Sequence, residues 1–164
     1  MSRVQSSIGV AQHYGPRGSN DGLPNSVSTY GPFRVMELSF DWEQANGDLP
    51  NANGTVDAAT LTIPANSIIT RAYLQVGTPW TSANDPVLVL GIAESDGGTE
   101  NANGIDSLQK AVLLAGATIV SDGDGIGVVV GDEDVQLIVT VTEDSTGFTA
   151  GTARLVVEYL PSYV

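Results

Sequence analysis

Hydrophobic and polar residues alternate with a period of two over most of the chain after residue 34. In residues 35–42 the apolar side chains from Met36 to Trp42 fall on one face and polar side chains take the other, which is typical of a half-buried strand. Residues 67–76 alternate in the same way. Further strands are predicted at residues 55–63, 87–93, 118–120, 126–130, 135–142 and 152–160.

Turn sequences separate these strands and indicate the fold class. A loop rich in Asn, Gly and Asp covers residues 44–54, Pro64 opens a turn, and Asp-Gly or Thr-Gly pairs follow near residues 96, 122 and 146. Residues 105–114 hold apolar side chains at helical spacing, although this segment could equally be a strand. Many short strands predict an all-β protein, an antiparallel β-sandwich or jelly roll.

Residues 1–34 follow neither period and contain five glycines, three prolines and six serines. We therefore expect an extended N-terminal arm over residues 1–34 and a β-sandwich body over residues 35–164. An alternative is that the arm wraps its own domain as an edge strand or loop. Scattered apolar and basic residues in the arm are candidates for a partner interface: Arg3, Val4, Ile8, Val10, Tyr14, Arg17, Tyr30, Phe33 and Arg34.

The net charge of the chain also changes sign between residues 34 and 35. The arm has three arginines and one aspartate, a net charge of +2, whereas residues 35–164 have eighteen acidic and three basic residues, a net charge of −15. The total of −13 repels nucleic acid phosphates and anionic membranes, so we expect neither as a partner. The chain has no cysteine, and no apolar run near its start is typical of a secretory signal, so we expect synthesis in a cytoplasm.

Candidate catalytic and metal-binding residues are few. His13 is the single histidine, so a catalytic triad or a histidine-ligated zinc site lacks its other members. Asp122, Asp124 and Glu133 match positions 1, 3 and 12 of a calcium-binding loop, but Ile126 at position 5 cannot ligate, and an acidic β-turn is the better interpretation. We predict no enzyme, no cofactor and no dedicated metal site.

Two segments carry a resemblance to a known class of proteins. Residues 61–78 join a strand, a Pro-containing turn and an alternating strand, and residues 151–161 form a C-terminal strand with the sequence Arg-Leu-Val-Val-Glu-Tyr. Together they resemble head decoration, or cement, proteins of tailed bacteriophages.

The resemblance implies a virion structural protein on the outer surface of an icosahedral head. Its expected partners are the major capsid protein and further copies of itself, as a homotrimer. Its role would be to stabilise the shell by bridging capsid subunits.

Two other functions remain open at this point. One is a tail, neck or fibre-associated virion protein, because β-sandwiches serve many roles. The other is a carbohydrate-binding β-sandwich module, which would need exposed aromatic rings on a concave sheet.

Overall fold

A computed structural model describes residues 2–5, 11–14, 26–30, 33–47, 62–94, 100–142 and 147–162. For residues 2–30 and for Glu100 the description covers the backbone alone. No helix within these ranges is long and apolar enough to cross a membrane.

The described strands form two antiparallel sheets and a separate hairpin. One sheet has the order β3-β4-β11-β6-β9 and the other β5-β10-β7-β8, while β1 pairs with β2. The strands are β1 (Ser2–Gln5), β2 (Ala11–Tyr14), β3 (Ser26–Tyr30), β4 (Phe33–Asp41), β5 (Thr62–Ile63), β6 (Ile68–Thr81), β7 (Val87–Glu94), β8 (Glu100–Gln109), β9 (Thr118–Val120), β10 (Val135–Thr142) and β11 (Ala150–Leu160). The prediction of an all-β sandwich is confirmed, and the jelly-roll topology stays a prediction.

The core lies between the two sheets and follows the predicted alternation. On β4 and β11, Leu38 is directly opposite Leu155, and Met36 is opposite Val157; all four side chains are buried in one cluster. Leu88, Leu90 and Val139 of the second sheet join the same cluster. Burial of a side chain of this size stabilises the fold by roughly 1.5–3 kcal/mol.

One end of the core is closed by three aromatic rings. Trp80 packs edge-on against Phe40 and Phe148, with ring centroids 5.8 and 4.8 Å apart. Asn46 fixes the chain at Phe148, because its side-chain amide donates to the Phe148 carbonyl at 2.7 Å and its amide oxygen accepts from the Phe148 N–H at 3.1 Å. Trp80 is thus a core residue.

A short helix, α1 (Trp42–Asn46), lies where the sequence predicts the end of a strand and the start of a loop. Asp41 accepts a hydrogen bond from the Gln44 N–H, and the Gln44 side chain accepts from the Asp41 N–H, both at 3.0 Å. This reciprocal capping box starts the helix. The spacing of Asp41 and Gln44 was a signal in the sequence that the period-two pattern concealed.

The possible helix at residues 105–114 is a strand followed by a single 3₁₀ turn at Lys110–Val112. The register of β8 against β7 is broken by a bulge opposite Gly91. Because of this bulge, Ile105 and Leu108 both reach the core although they are three residues apart. A bulged strand therefore produced the helical spacing.

A second bulge changes the inward face of β6. Its pairing with β11 skips Thr70, since Glu158 is opposite Arg71 and Tyr159 is opposite Ile69. Ile69 is buried in the core while its neighbour Ile68 is half-buried. The predicted alternation placed Ile68 with Ala72 and Leu74 and placed Ile69 on the opposite face, so it is wrong at the start of β6 and correct from Ala72 onward.

The strand predicted at residues 126–130 is also wrong. This segment is a turn with one isolated bridge between Val129 and Ile68. Gly127 and Gly131 have φ angles of +81° and +76°, which interrupt an extended strand.

The boundary predicted between residues 34 and 35 falls inside β4, which begins at Phe33. β3 pairs with β4 at the edge of the larger sheet, from Ser26 opposite Glu37 to Tyr30 opposite Phe33. Residues 26–30 therefore have the edge-strand placement that the sequence left open as an alternative. A division into an arm and a body stays a prediction.

Candidate functional site

One irregular segment, residues 113–131, covers the outer edge of β6 along nearly its whole length, and we call it the edge segment. At one end the Trp80 N–H donates to the Leu113 carbonyl, and at the other the Asn66 N–H donates to the Gly131 carbonyl. β9 pairs with β6 between these points. Ser121 and Gly127 also donate backbone bonds to β6, and Val130 donates to Ser67, the residue just before β6. Only three residues of this segment form a regular strand.

The same segment also reaches the other sheet. The Gly123 N–H donates to the Ile105 carbonyl at 2.8 Å, and the Gly125 N–H donates to the Gly104 carbonyl at 2.9 Å. Residues 121–125 thus cross from β6 to β8 and close one open side of the sandwich. Backbone groups at the outer edges of β6 and β8 gain hydrogen-bond partners in this way.

Glycine is required at both crossing positions. A Cβ added to Gly123 would lie 2.5 Å from the backbone carbonyl group of Ile105, and one added to Gly125 would lie 2.7 Å from the Gly104 carbonyl oxygen. The Asp-Gly-Asp-Gly sequence therefore lets two backbones approach closely.

The acids of this motif do not converge. Asp122 and Asp124 are exposed, and one Asp124 oxygen accepts from the Asn101 side-chain amide at 2.9 Å. Among the described residues, no group of three or more His, Asp or Glu could hold a metal ion. Asp122, Asp124 and Glu133, the calcium candidates, do not form such a group.

Aliphatic side chains point outward along the edge segment and just before it. These residues and their exposed fractions are Val112 (45%), Leu114 (61%), Val120 (75%), Val128 (53%) and Val129 (50%). Exposed acids lie beside them in the chain: Asp122, Asp124, Asp132, Glu133 and Asp134. The edge thus has exposed apolar side chains interspersed with negative charge.

A buried carboxylate lies beneath the edge segment. Asp106 of β8 is only 6% exposed and accepts a 2.7 Å hydrogen bond from the Ser107 N–H. Burial raises its pKa, and the negative charge of Asp122 acts in the same direction, while the Ser107 N–H and the nearby Ser121 hydroxyl lower it. Ser121 Oγ lies close to this carboxylate but makes no hydrogen bond within the described structure.

An open groove of about 570 Å³ lies on the outer face of the larger sheet. Arg154 lies in it and donates to Glu37 at 3.2 Å and, through Nε, to Gln75 at 3.1 Å. Asp41, the one acid in the groove's lining, caps α1. Its one aromatic ring, Phe40, is buried in the core, so the lining offers no exposed ring for stacking on a sugar.

The predicted interface residues stay a prediction, because the structure describes only some of them. Arg3 and Val4 lie on β1, Tyr14 on β2 and Tyr30 on β3. Ile8, Val10 and Arg17 lie outside the described residues.

Phe33 and Arg34 begin β4, and Phe33 is 36% exposed. Arg34 is opposite Tyr159 on β11. Burial raises the pKa of the Tyr159 phenol, and the positive charge of Arg34 opposes this shift.

Comparison with known proteins finds solved structures that are similar to this chain. No protein-family model matches the sequence, and no curated protein matches it. Among solved structures, the chain is similar to one from the cyanophage Pam1 capsid asymmetric unit, with a TM-score of 0.50 and 17% sequence identity. That similarity covers 90% of this chain and 99% of the Pam1 chain.

A chain from the capsid of Ralstonia phage GP4 is also similar, with a TM-score of 0.48, 18% identity, and coverage of 79% and 86% of the two chains. The likeness to the Pam1 chain shows a shared fold. It extends over almost the full length of both molecules rather than over a common core alone.

The edge segment was not predicted from the sequence as a functional surface. Its signal in the sequence is the pairing of acids with glycines at residues 122–127, which is equally typical of an acidic turn. The exposed valines at 128 and 129 were assigned to a strand, where they would have been expected to pack.

Proposed function

We propose that this protein is a structural component of a phage virion. The observation that carries the proposal is the fold shared, over nearly all of both chains, with a chain of the Pam1 capsid asymmetric unit. The described structure adds no competing site, because the acids beside its main groove serve as a helix cap and as the partner of Arg154.

Within the virion, decoration of the head exterior is the role that fits best. The strongly acidic body, with a net charge of −15 over residues 35–164, favours an exposed and soluble surface over contact with packaged DNA. A protein that binds only the assembled shell stabilises that shell by mass action, by about 2.7 kcal/mol per site at a concentration 100 times Kd. The bridged partners would be the major capsid protein and neighbouring copies, with a homotrimer as the expected state.

Copy number in purified virions of the parent phage tests this role. Quantitative mass spectrometry with isotope-labelled peptides, normalised to the major capsid protein, should give hundreds of copies per particle. A few copies, or about a dozen, would contradict decoration and favour the tail, neck or fibre role. Absence from washed particles would contradict any structural role in the virion.

A second measurement addresses stabilisation itself. Heads that lack the protein should release DNA at a lower temperature than complete heads, and adding back the full chain should restore the higher temperature. The matched control is an equal amount of an unrelated acidic protein, which should restore nothing. Equal release temperatures with and without the protein would refute the cement role.

A further inference from the structure

Among the residues that the structure describes, no strand pairs with the outer edge of β9. The Ser121 N–H donates to the Ala72 carbonyl, and the Val76 N–H donates to the Ala117 carbonyl. Backbone groups alternate in direction along an antiparallel strand, so those of Thr118 and Val120, which lie between these bonds, point away from β6. Val120 is also 75% exposed. An edge of this kind accepts an added strand.

Charge restricts which strand can bind there. Asp122 and Asp124 follow β9 directly and are exposed. The body of a second copy carries a net charge of −15, so its surface would be repelled. A neutral or basic extended segment is the complementary partner.

The chain itself contains such a segment. Residues 1–20 hold Arg3 and Arg17 and no acidic residue. Within them, β1 and β2 pair with each other from Ser2 opposite Tyr14 to Gln5 opposite Ala11, and within the described residues they join neither sheet of the sandwich. A two-stranded hairpin is at best marginally stable alone in water, and a third strand with apolar contacts stabilises it.

We propose that the β1–β2 hairpin of one copy adds to β9 of a second copy through β1, the strand that holds Arg3, and covers the exposed Val120. Such a contact is head-to-tail, because one copy gives the hairpin and another gives the edge, and it therefore closes into a ring of copies or extends as a chain. This inference rests on the self-association included in the proposed function. It identifies the two surfaces that meet.

Disulfide cross-linking tests the contact directly, since the chain has no cysteine of its own. Each residue of Ser2–Gln5 is replaced singly by Cys in the full chain and mixed with a ¹⁵N-labelled Val120→Cys chain under mild oxidation. Thr142→Cys, at an exposed end of β10, replaces Val120→Cys in the control mixture. A disulfide requires Cα atoms roughly 4.4–6.8 Å apart, so cross-linking reports strands that lie side by side.

We expect mixed dimers, distinguished by mass, at a yield at least several-fold above the control for one or more β1 positions, and a lower yield at about 0.5 M NaCl because the charges are screened. Yields equal to the control at all four positions would overturn the proposal. A Val4→Cys/Val120→Cys chain that closes on itself, with a monomeric product independent of concentration, would also overturn it. It would show that the hairpin binds its own edge.

Association of uncross-linked chains provides a second test. In sedimentation experiments, Val120→Glu should weaken self-association at least tenfold, whereas Thr142→Glu, which adds the same charge elsewhere, should weaken it less than threefold. Equal effects of the two variants would refute a contact at β9. The result is independent of copy number in virions, so failure of this contact and failure of the virion role are distinguishable.

Discussion

Replacement of Gly123 by Ala is the sharpest test of how the sandwich is closed. The new Cβ would lie 2.5 Å from the carbonyl carbon and oxygen of Ile105, so the two backbones must separate by about 1 Å to reach ordinary contact. Overpacking of this kind costs about 1–3 kcal/mol. Separation also weakens the bond from Gly123 to Ile105, for about 0.5–1.5 kcal/mol more.

The expected loss is therefore about 1.5–4.5 kcal/mol in the free energy of unfolding. Urea unfolding at constant slope should measure it directly, and the melting temperature should fall by roughly 3–18 °C for a chain of this length. Gly116→Ala is the control in the same segment, since its φ is +71° but nothing lies within 4 Å of the added Cβ. Backbone strain alone should lower the free energy of unfolding of Gly116→Ala, by about 1–2 kcal/mol.

A Gly123→Ala chain as stable as the unsubstituted protein would refute the close approach between residues 123 and 105. So would a loss no larger than that of Gly116→Ala. Added calcium distinguishes a packing role of the Asp-Gly-Asp-Gly sequence from ion binding. Addition of 5 mM CaCl₂ or EDTA should leave the melting temperatures of the unsubstituted protein and of Gly123→Ala unchanged to within about 1 °C. A large calcium-dependent rise would instead assign the motif to an ion.

Two further predictions concern the core and a buried acid. Phe148→Ala should cost about 3–5 kcal/mol, because this ring is 1% exposed and packs edge-on against Trp80. Phe148→Leu, which restores much of the buried apolar volume, should recover most of the loss in the same urea assay. A Phe148→Ala loss within about 0.5 kcal/mol, as for a surface position, would contradict the placement of this ring in the core. The pKa of Asp106 is raised in the folded protein, so the carboxyl group binds its proton more tightly there than in the unfolded chain. The contribution of Asp106 to stability is therefore greatest below the pKa of the unfolded chain. It is lost as the pH rises through the pKa of the folded protein. The free energy of unfolding should therefore fall with rising pH, relative to Asp106→Asn, over the range just above pH 4, and parallel pH profiles for the two proteins would refute this.

Period-two alternation predicted the regular strands well. β9 and β10 have the predicted bounds, and β11 begins two residues before the predicted start. In these strands each residue's face is set by its own position, since successive side chains point to opposite sides. Local sequence is therefore sufficient to predict which side chains of these strands face the core.

Bulges limited the prediction of the other strands, because the position of a bulge depends on the partner strand. Thr70 is skipped in the register with β11, and the break in β8 lies opposite Gly91, where an added Cβ would be 2.2 Å from the Ala102 carbonyl oxygen. Both bulges shift the inward face by a residue or more. No pattern within either strand identifies the distant residue that causes the shift, so Ile68 was placed on the wrong face and the segment from Ile105 was left open between a helix and a strand.

The edge segment links the fold to the proposed role of its surface. Gly123 and Gly125 turn their N–H groups inward to β8, and the alternating acids Asp122 and Asp124 are left exposed. The backbone requirement for glycine thus places negative charge beside the outer edge of β9. Acidic neighbours disfavour pairing between two identical edges, because both would bring the same charges together. Under the proposed hairpin contact, this one stretch of sequence both closes the sandwich and selects a basic strand as the partner of β9.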